Sequence, residues 1–156
     1  MTEIQNNETP KVLVVDDNLQ NLELLLAYLE DVDCQTLSAA DGSEAIDTVK
    51  KHHPDLILLD VMMPKMSGFE VCKRIKNDPK TADIPIIMVT ALNELGDIER
   101  AIDSGTDDFL SKPVNKWELV TRVRTMLKLK HLTDKLERTL AYLSEVESQV
   151  ELKNSE

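Results

Sequence analysis

Three acidic side chains stand at the ends of two apolar runs. Asp60 ends the run DLILLD at 55–60, and the pair Asp16 and Asp17 follows KVLVV at 11–15. Short apolar runs of this kind are typical of strands buried on both faces of a parallel sheet. Because ligands bind in the crevice at the carboxyl ends of parallel strands, we expect the three carboxylates to lie close together.

Three carboxylates in one small volume repel each other, and the fold has to compensate for this. Two carboxylates ~4–5 Å apart repel by roughly 3–4 kcal/mol at an effective dielectric constant near 20. A hard divalent cation with oxygen ligands is the compensation that this donor set favours. The residues therefore predict a metal site at the strand ends.

Strand-like and helix-like segments alternate along the chain. Five apolar runs predict strands, at 11–15, 34–39, 56–59, 84–89 and 109–110. Between them, apolar residues recur at spacings of three and four, which is typical of helices. Five such units with short connections predict an α/β fold with a doubly wound parallel sheet.

Two more polar side chains follow predicted strands. Thr90 ends the fourth strand and Lys112 follows the fifth. A hydroxyl and an ammonium group can bind the equatorial oxygens of a phosphoryl group, which gain charge during its transfer. One carboxylate would then be the oxygen nucleophile. This set of groups predicts a site that forms an aspartyl phosphate.

Five short motifs at these strand ends carry a family resemblance. In chain order they are Asp16-Asp17, Leu58–Pro64, Ser67-Gly68, Val89–Ala91 and Lys112-Pro113. Together they resemble the receiver domain of two-component response regulators. The resemblance implies a flavodoxin-like fold with strand order 2-1-3-4-5. It covers residues 11–127, which leaves residues 1–10 as a flexible tail and residues 128–156 as a helical extension.

The resemblance implies a role for each acidic residue. Asp60 would accept a phosphoryl group from a histidine kinase or a histidine phosphotransfer protein. Asp17, Asp60 and the backbone carbonyl of Met62 would bind Mg²⁺, for which Mn²⁺ is a possible substitute. Asp16 would reach the metal mostly through water.

Lys112 and Thr90 would contact the phosphoryl oxygens, Thr90 only after it moves toward them on activation. The family's switch aromatic falls on Phe109, which can rotate inward but has no hydroxyl to donate. The family's Lys-Pro bond is usually cis, which implies the same for the bond between Lys112 and Pro113.

Two further positions bear on the lifetime of the phosphoryl group. In the family, residues two beyond the phosphoacceptor and two beyond the threonine modulate attack by water. Here these are Met62 and Leu92, both apolar, so the sequence predicts slow hydrolysis. Met62 is also expected to pack in its loop.

An enzyme of another class is the alternative. Phosphatases of the haloacid dehalogenase type also place an aspartate nucleophile, a hydroxyl, a lysine and an acidic pair around Mg²⁺. They favour a second aspartate two residues after the nucleophile, and this chain has Met62 there. Without that acid nothing protonates a leaving alcohol, so we expect no catalysis beyond the chain's own phosphorylation and slow dephosphorylation.

A stripe of apolar residues follows the predicted domain. It has heptad a and d spacing and consists of Leu129, Leu132, Leu136, Leu143, Val146 and Val150. About three heptads is the short end of what supports a coiled coil. We expect a parallel homodimer, and a helix folded back on the domain is the alternative.

The output of this regulator is unknown from the sequence. The segments KPVNK at 112–116 and LKHL at 129–132 resemble those of receivers that precede diguanylate cyclase or similar output domains. Too few residues follow Leu127 to form such a domain. A single-domain phosphorelay shuttle is the variant reading within the same class.

Composition sets the remaining expectations. The net charge of −11 argues against direct nucleic-acid binding. We see neither a signal peptide nor a run long enough to span a membrane, which predicts a cytoplasmic protein. Trp117 is expected to pack at the start of the last helix, and Asp107-Asp108 to form a solvated loop.

Overall fold

Strands and helices alternate throughout the computed structural model, which describes residues 8–91 and 95–155. The strands are β1 (Lys11–Val15), β2 (Gln35–Ala39), β3 (Leu56–Asp60), β4 (Ile86–Thr90) and β5 (Asp108–Ser111). The helices are α1 (Leu19–Tyr28), α2 (Gly42–His52), α3 (Gly68–Asn77), α4 (Leu95–Asp103) and α5 (Lys116–Asn154). A short 3-10 turn, Leu29–Asp31, follows α1.

The five strands form one parallel sheet in the order β2-β1-β3-β4-β5. This confirms the predicted flavodoxin-like topology. Strand β4 begins two residues later than predicted. The reason is local: the Ile84 N–H donates to the Thr81 carbonyl in the preceding turn, and Pro85 has no N–H to give to the sheet.

Alternate residues of each inner strand face two separate cores. Leu13 belongs to a core with α2, α3 and α4, which includes Val71. Val14, the next residue of β1, belongs to a core with α1 and α5, which includes Leu25 and Leu119. Burial on both faces explains why β1, β3 and β4 are continuous apolar runs rather than alternating ones.

Side-chain caps fix the helices that begin near the strand ends. Asn18, Asp41, Ser67 and Asn115 each accept a hydrogen bond from the backbone N–H three residues further on. Each such cap contributes about 1 kcal/mol. Asn18, Ser67 and Asn115 lie next to or close to the motifs at the strand ends. Their caps therefore also hold the loops that carry these motifs.

Helix α5 is far longer than the sheet that it packs against. Its first turns bury Leu119, Val120 and Val123, whereas every described side chain after Asp134 is exposed. The predicted apolar stripe, which begins before Asp134, is exposed along its whole length: Leu129, Leu132, Leu136, Leu143, Val146 and Val150. Among the helices of the described ranges, none has the length and apolar character that crossing a membrane would need.

Two local expectations are wrong. Trp117 is 77% exposed rather than packed, because the body-facing positions of that turn belong to Leu119 and Val120. The pair at 107–108 is not simply a solvated loop. Asp107 is exposed but lies 2.9 Å from the Lys76 Nζ, and Asp108, the first residue of β5, pairs with Arg122 of α5.

Gly68 lies against the backbone of the predicted nucleophile. A β-carbon at this position would be 2.2 Å from the carbonyl oxygen of Asp60. The Gly68 N–H also donates to the Val61 carbonyl at 2.9 Å. The absence of a side chain therefore lets α3 begin directly beneath the end of β3.

We expect Gly68→Ala to destabilise the fold by about 1–3 kcal/mol or more, because backbone rather than a movable side chain occupies the space. Gly96→Ala is the matched control, since a β-carbon at Gly96 meets nothing within 4 Å. Gly96 lies in the first turn of α4, so that change should stabilise by less than the ~0.5–1 kcal/mol typical of a helix interior. Chemical unfolding of both variants measures the two effects, and equal changes would contradict this account of Gly68.

Candidate functional site

Three carboxylates converge at the carboxyl end of the sheet. Asp16 and Asp17 follow β1, and Asp60 ends the adjacent strand β3. One oxygen from each lies within 4.8 Å of the others. Asp16 and Asp60 are only 1% and 4% exposed, whereas Asp17 is exposed. The cluster is therefore a pocket with a protein floor and one open side.

Lys112 reaches this cluster from two strands away. It follows β5, and its Nζ lies 3.2 Å from Asp16 Oδ2 and 3.1 Å from Asp60 Oδ1. Its backbone N–H donates to the Thr90 carbonyl at 2.9 Å, and its peptide bond to Pro113 is cis. The side chain thus spans past the end of β4 to join the two buried carboxylates.

Thr90 and Phe109 belong to the strands β4 and β5 that this bridge spans. Thr90 ends β4 and is 2% exposed, and the strand register places its neighbour Val89 opposite Asp60. Phe109, in β5, is half-buried and packs against the core that α2, α3 and α4 cover. Asp16, Asp17, Asp60, Thr90 and Lys112 thus lie at the carboxyl edge of the sheet. Phe109 lies within β5, where it pairs with Met88.

Met62 and Leu92 differ from the rest. The Met62 side chain is 77% exposed, so the expectation that it packs in its loop is wrong. Val61 and Met63, its neighbours, are the ones that point inward. Leu92 lies outside the described residues.

The electrostatics of the pocket raise the pKa of Asp60. Burial and the neighbouring charges of Asp16 and Asp17 raise the pKa of Asp60 to about 6, although Lys112 opposes the shift. Burial alone would lower the pKa of Lys112, but Asp60 and Asp16 outweigh it and raise the pKa. Lys112 therefore stays charged, while Asp60 titrates near neutral pH.

The donor set fits a hard divalent cation. With all three carboxylates ionised, one ammonium group leaves two negative charges uncompensated. Carboxylate oxygens are the ligands that Mg²⁺ accepts. Asp16 already accepts from the Asn18 N–H at Oδ1 and from Lys112 at Oδ2. Asp17 and Asp60 are thus the better placed to bind a cation directly.

Asn18 is a site residue that the sequence pattern undervalued. Its side chain caps α1 by accepting a hydrogen bond from the Asn21 N–H. Its own N–H also fixes one oxygen of Asp16 at 2.9 Å. The short spacing between a strand-end acid and a helix cap is the signal that could have revealed this second role.

We expect Asp60→Asn to stabilise the metal-free protein because it removes a buried charge that is repelled by its neighbours. The folded pKa of about 6 lies above the ordinary 3.8. Between these values the folded state keeps a proton that the unfolded chain has lost, so the unfolding free energy of the wild type falls as pH rises through this window. Above the window the variant gains on the order of 2–3 kcal/mol.

Chemical unfolding in a chelator, from about pH 7.5 down to about pH 4, measures this gain. The stability difference between Asp60→Asn and the wild type should shrink steadily as the pH falls. A difference that stays constant over this range would show that the charge of Asp60 is not its source.

Comparison with known proteins gives one consistent family. Residues 12–124 match the model of the response regulator receiver domain. The response regulator PleD of Caulobacter vibrioides is 43% identical over 126 residues, which are 81% of this chain and 28% of that protein. The transcriptional regulator RpaA of a Synechocystis strain is 40% identical over 119 residues, or 76% of this chain and 49% of that protein.

A solved structure agrees with the sequence matches. The chemotaxis protein CheY4 of Vibrio cholerae superposes with a TM-score of 0.72 at 30% identity, covering 76% of this chain and 99% of the other. The curated relatives named above are longer, and this chain spans about half of their length or less. The matched region contains the acidic pocket, Thr90 and Lys112, and the chain belongs to the response regulator receiver family of two-component signalling.

Proposed function

We propose that Asp60 accepts a phosphoryl group from a histidine kinase or a histidine phosphotransfer protein, with Mg²⁺ or in its place Mn²⁺. The resulting switch would act through Thr90, Phe109 and the packing of a homodimer. The observation that carries the proposal is the Nζ of Lys112 held at 3.2 and 3.1 Å between Asp16 and Asp60. It puts a nucleophile, a cation-binding pair and a phosphoryl-binding ammonium group in one pocket.

The transfer needs Asp60 in its ionised form. Its carboxylate oxygen attacks the phosphorus of the phosphohistidine, a new P–O bond forms, and the P–N bond to the imidazole breaks. The pKa of Asp60 is raised to about 6 but still lies below neutral pH. The nucleophile is therefore mostly ionised at neutral pH, even without metal. Lys112 lies where it can neutralise charge on the phosphoryl oxygens.

The metal would be held by Asp17, Asp60 and the backbone carbonyl of Met62, with Asp16 acting through water. When bound, it neutralises the phosphoryl oxygens and the acidic pocket. Asp16 suits an indirect role because both of its oxygens already accept hydrogen bonds from Asn18 and Lys112. The exposure of Asp17 supports entry from solvent on that side.

The switch would begin at Thr90. Its hydroxyl would move toward the phosphoryl oxygens, and Phe109 would follow into the space that this vacates. Phe109 is half-buried, so an inward rotation increases its burial without breaking a hydrogen bond. The hydrogen bond from the Lys112 N–H to the Thr90 carbonyl supports coupling between the ends of β4 and β5.

Other functions fit the chain less well. We propose a cytoplasmic location and no catalysis beyond the chain's own phosphorylation and dephosphorylation. A phosphatase of the haloacid dehalogenase type needs an acid where Met62 stands. The relative RpaA is named as DNA-binding, but the net charge of −11 argues against such binding by this chain.

The first test is the intact mass after incubation with Mg²⁺ and acetyl phosphate. We expect a gain of one phosphoryl group in the wild type, because a small phosphodonor can reach the open side of the pocket. Asp60→Asn should gain none, and Lys112→Ala should gain far less. A chelator should abolish the gain in the wild type. Equal phosphorylation of Asp60→Asn would refute Asp60 as the acceptor.

The same samples, freed of acetyl phosphate, report the lifetime of the phosphoryl group. Because Met62 and Leu92 are apolar and cannot orient a hydrolytic water, we expect the added mass to persist for many minutes or longer. Met62→Glu is the informative variant, since a carboxylate there can orient water and should shorten the lifetime. A lifetime of seconds in the wild type would contradict the role given to these two positions.

The extension supports a homodimer because its apolar stripe points away from the domain. Val123 is buried against the body, whereas Leu132 is half exposed. The nine residues that separate them are two and a half turns of α-helix, which places the two side chains on opposite faces. A fold-back of the straight helix would not bury this stripe, but the matching stripe of a second copy would.

We expect Leu143→Lys to weaken or abolish the dimer, because it puts two charges into the centre of the paired stripes. Ser148→Lys is the matched control, since it adds the same charge to the outer face of the helix. Light scattering across a range of concentrations measures the association. Unchanged dimerisation of Leu143→Lys would show that this stripe is not the interface.

Phosphorylation of the wild type separates a switch from a shuttle. A switch requires a dimer constant or geometry that changes when Asp60 is phosphorylated, whereas a single-domain shuttle does not. The light-scattering samples with and without acetyl phosphate give this comparison directly. The choice between the two does not affect the assignment of the phosphoacceptor.

A further inference from the structure

Lys130 is the last basic residue of α5 that the domain body shelters. Its side chain is 11% exposed, although the helix around it is mostly in solvent. The Nζ lies 2.8 Å from Asp83 of the α3–β4 loop (residues 78–85) and 2.9 Å from Asp134, one turn further along α5. Beyond Asp134 every described side chain is exposed, so this triad lies where the helix leaves the domain.

The anchor for Lys130 is itself held firmly. From the last turn of α3, the Lys76 Nζ donates to the loop carbonyls of Ala82 and Ile84 at 3.2 and 2.7 Å. The Thr81 hydroxyl donates to the Ile75 carbonyl at 2.7 Å. A loop tied down at several points fixes the backbone on either side of Asp83, whose exposed side chain then meets Lys130.

The charges of the triad favour keeping it intact. Burial alone would lower the pKa of Lys130, but hydrogen bonds to Asp83 and Asp134 raise it. An ammonium group sheltered from water is costly unless it is paired. Asp83 and Asp134 are 56% and 37% exposed, so the cost of separation falls on Lys130. This cost opposes any bending of the helix that pulls Lys130 away from Asp83.

We propose that the ionic triad of Lys130, Asp83 and Asp134 fixes the direction in which the extension leaves the domain, with Lys130 as the positioning residue. The packed apolar residues end at Leu127. Without the triad, the last contact between α5 and the body is Leu127 instead of Asp134. The extension can then change its direction from Leu127 onward. The device links the extension to the start of β4, at the end of the strand opposite to Thr90.

The test measures the distance between one label on the body and one on the extension by pulsed electron paramagnetic resonance. Lys51→Cys on α2 and Ser148→Cys on the outer face of α5 carry spin labels, in a background of Cys34→Ser and Cys72→Ala. A large excess of unlabelled protein removes distances between two copies. The measurement needs no phosphorylation, so it is independent of the proposed function.

We expect a single narrow distance distribution in the otherwise unchanged protein and a broad one in Lys130→Met. Asp83→Asn should broaden it as well, because an amide cannot pair with the ammonium charge. Lys128→Met, which removes the same charge from an exposed position of the same helix, should leave it narrow. An unchanged unfolding midpoint of the receiver distinguishes loss of direction from loss of fold.

A charge exchange completes the test. Asp83→Lys combined with Lys130→Asp keeps one cation and two carboxylates in the triad, and we expect it to restore the narrow distribution. A distribution in Lys130→Met as narrow as that of its parent would overturn the proposal. So would a distribution that stays broad in the charge exchange, because the ionic pairing would then not set the direction.

Discussion

The sheet brings three carboxylates together, and the repulsion between them is the constraint that shapes the site. Neighbouring parallel strands β1 and β3 end side by side, so Asp16, Asp17 and Asp60 have little freedom to separate. One ammonium group, from Lys112, offsets part of the charge. The uncompensated remainder favours a hard divalent cation at this site. Binding of such a cation would relieve a repulsion that the fold creates.

The same constraint connects the ends of three strands. Lys112 belongs to the end of β5 but its charge acts at β3, and its backbone is hydrogen-bonded to Thr90 of β4. Any change in charge at Asp60 alters what Lys112 has to neutralise. The three strand ends therefore share one electrostatic balance.

The sequence predicted most of the strand-end chemistry because buried parallel strands leave a clear pattern. An apolar run that stops at Asp60 can be read without a structure. Contacts between distant charged residues leave no such pattern. The pairing of Lys130 with Asp83 joins positions 47 residues apart, and Asp107 looked solvated although Lys76 binds it. The prediction for Trp117 is wrong because it rested on the usual burial of aromatic rings. The face of the helix on which the residue lies determines its burial, and Trp117 lies on the exposed face of α5.

Helix α5 carries two apolar stripes on opposite faces, one toward the domain and one away from it. The first stripe, with Val123, faces the sheet, and the second, with Leu132, faces away. Strand β4 has Thr90 at one end and the α3–β4 loop at the other, about 16 Å apart for five residues. A displacement of β4 along its axis would therefore reach the helix exit through Asp83. In the homodimer that we propose, a change in helix direction would then change how the second stripes of the two copies pack.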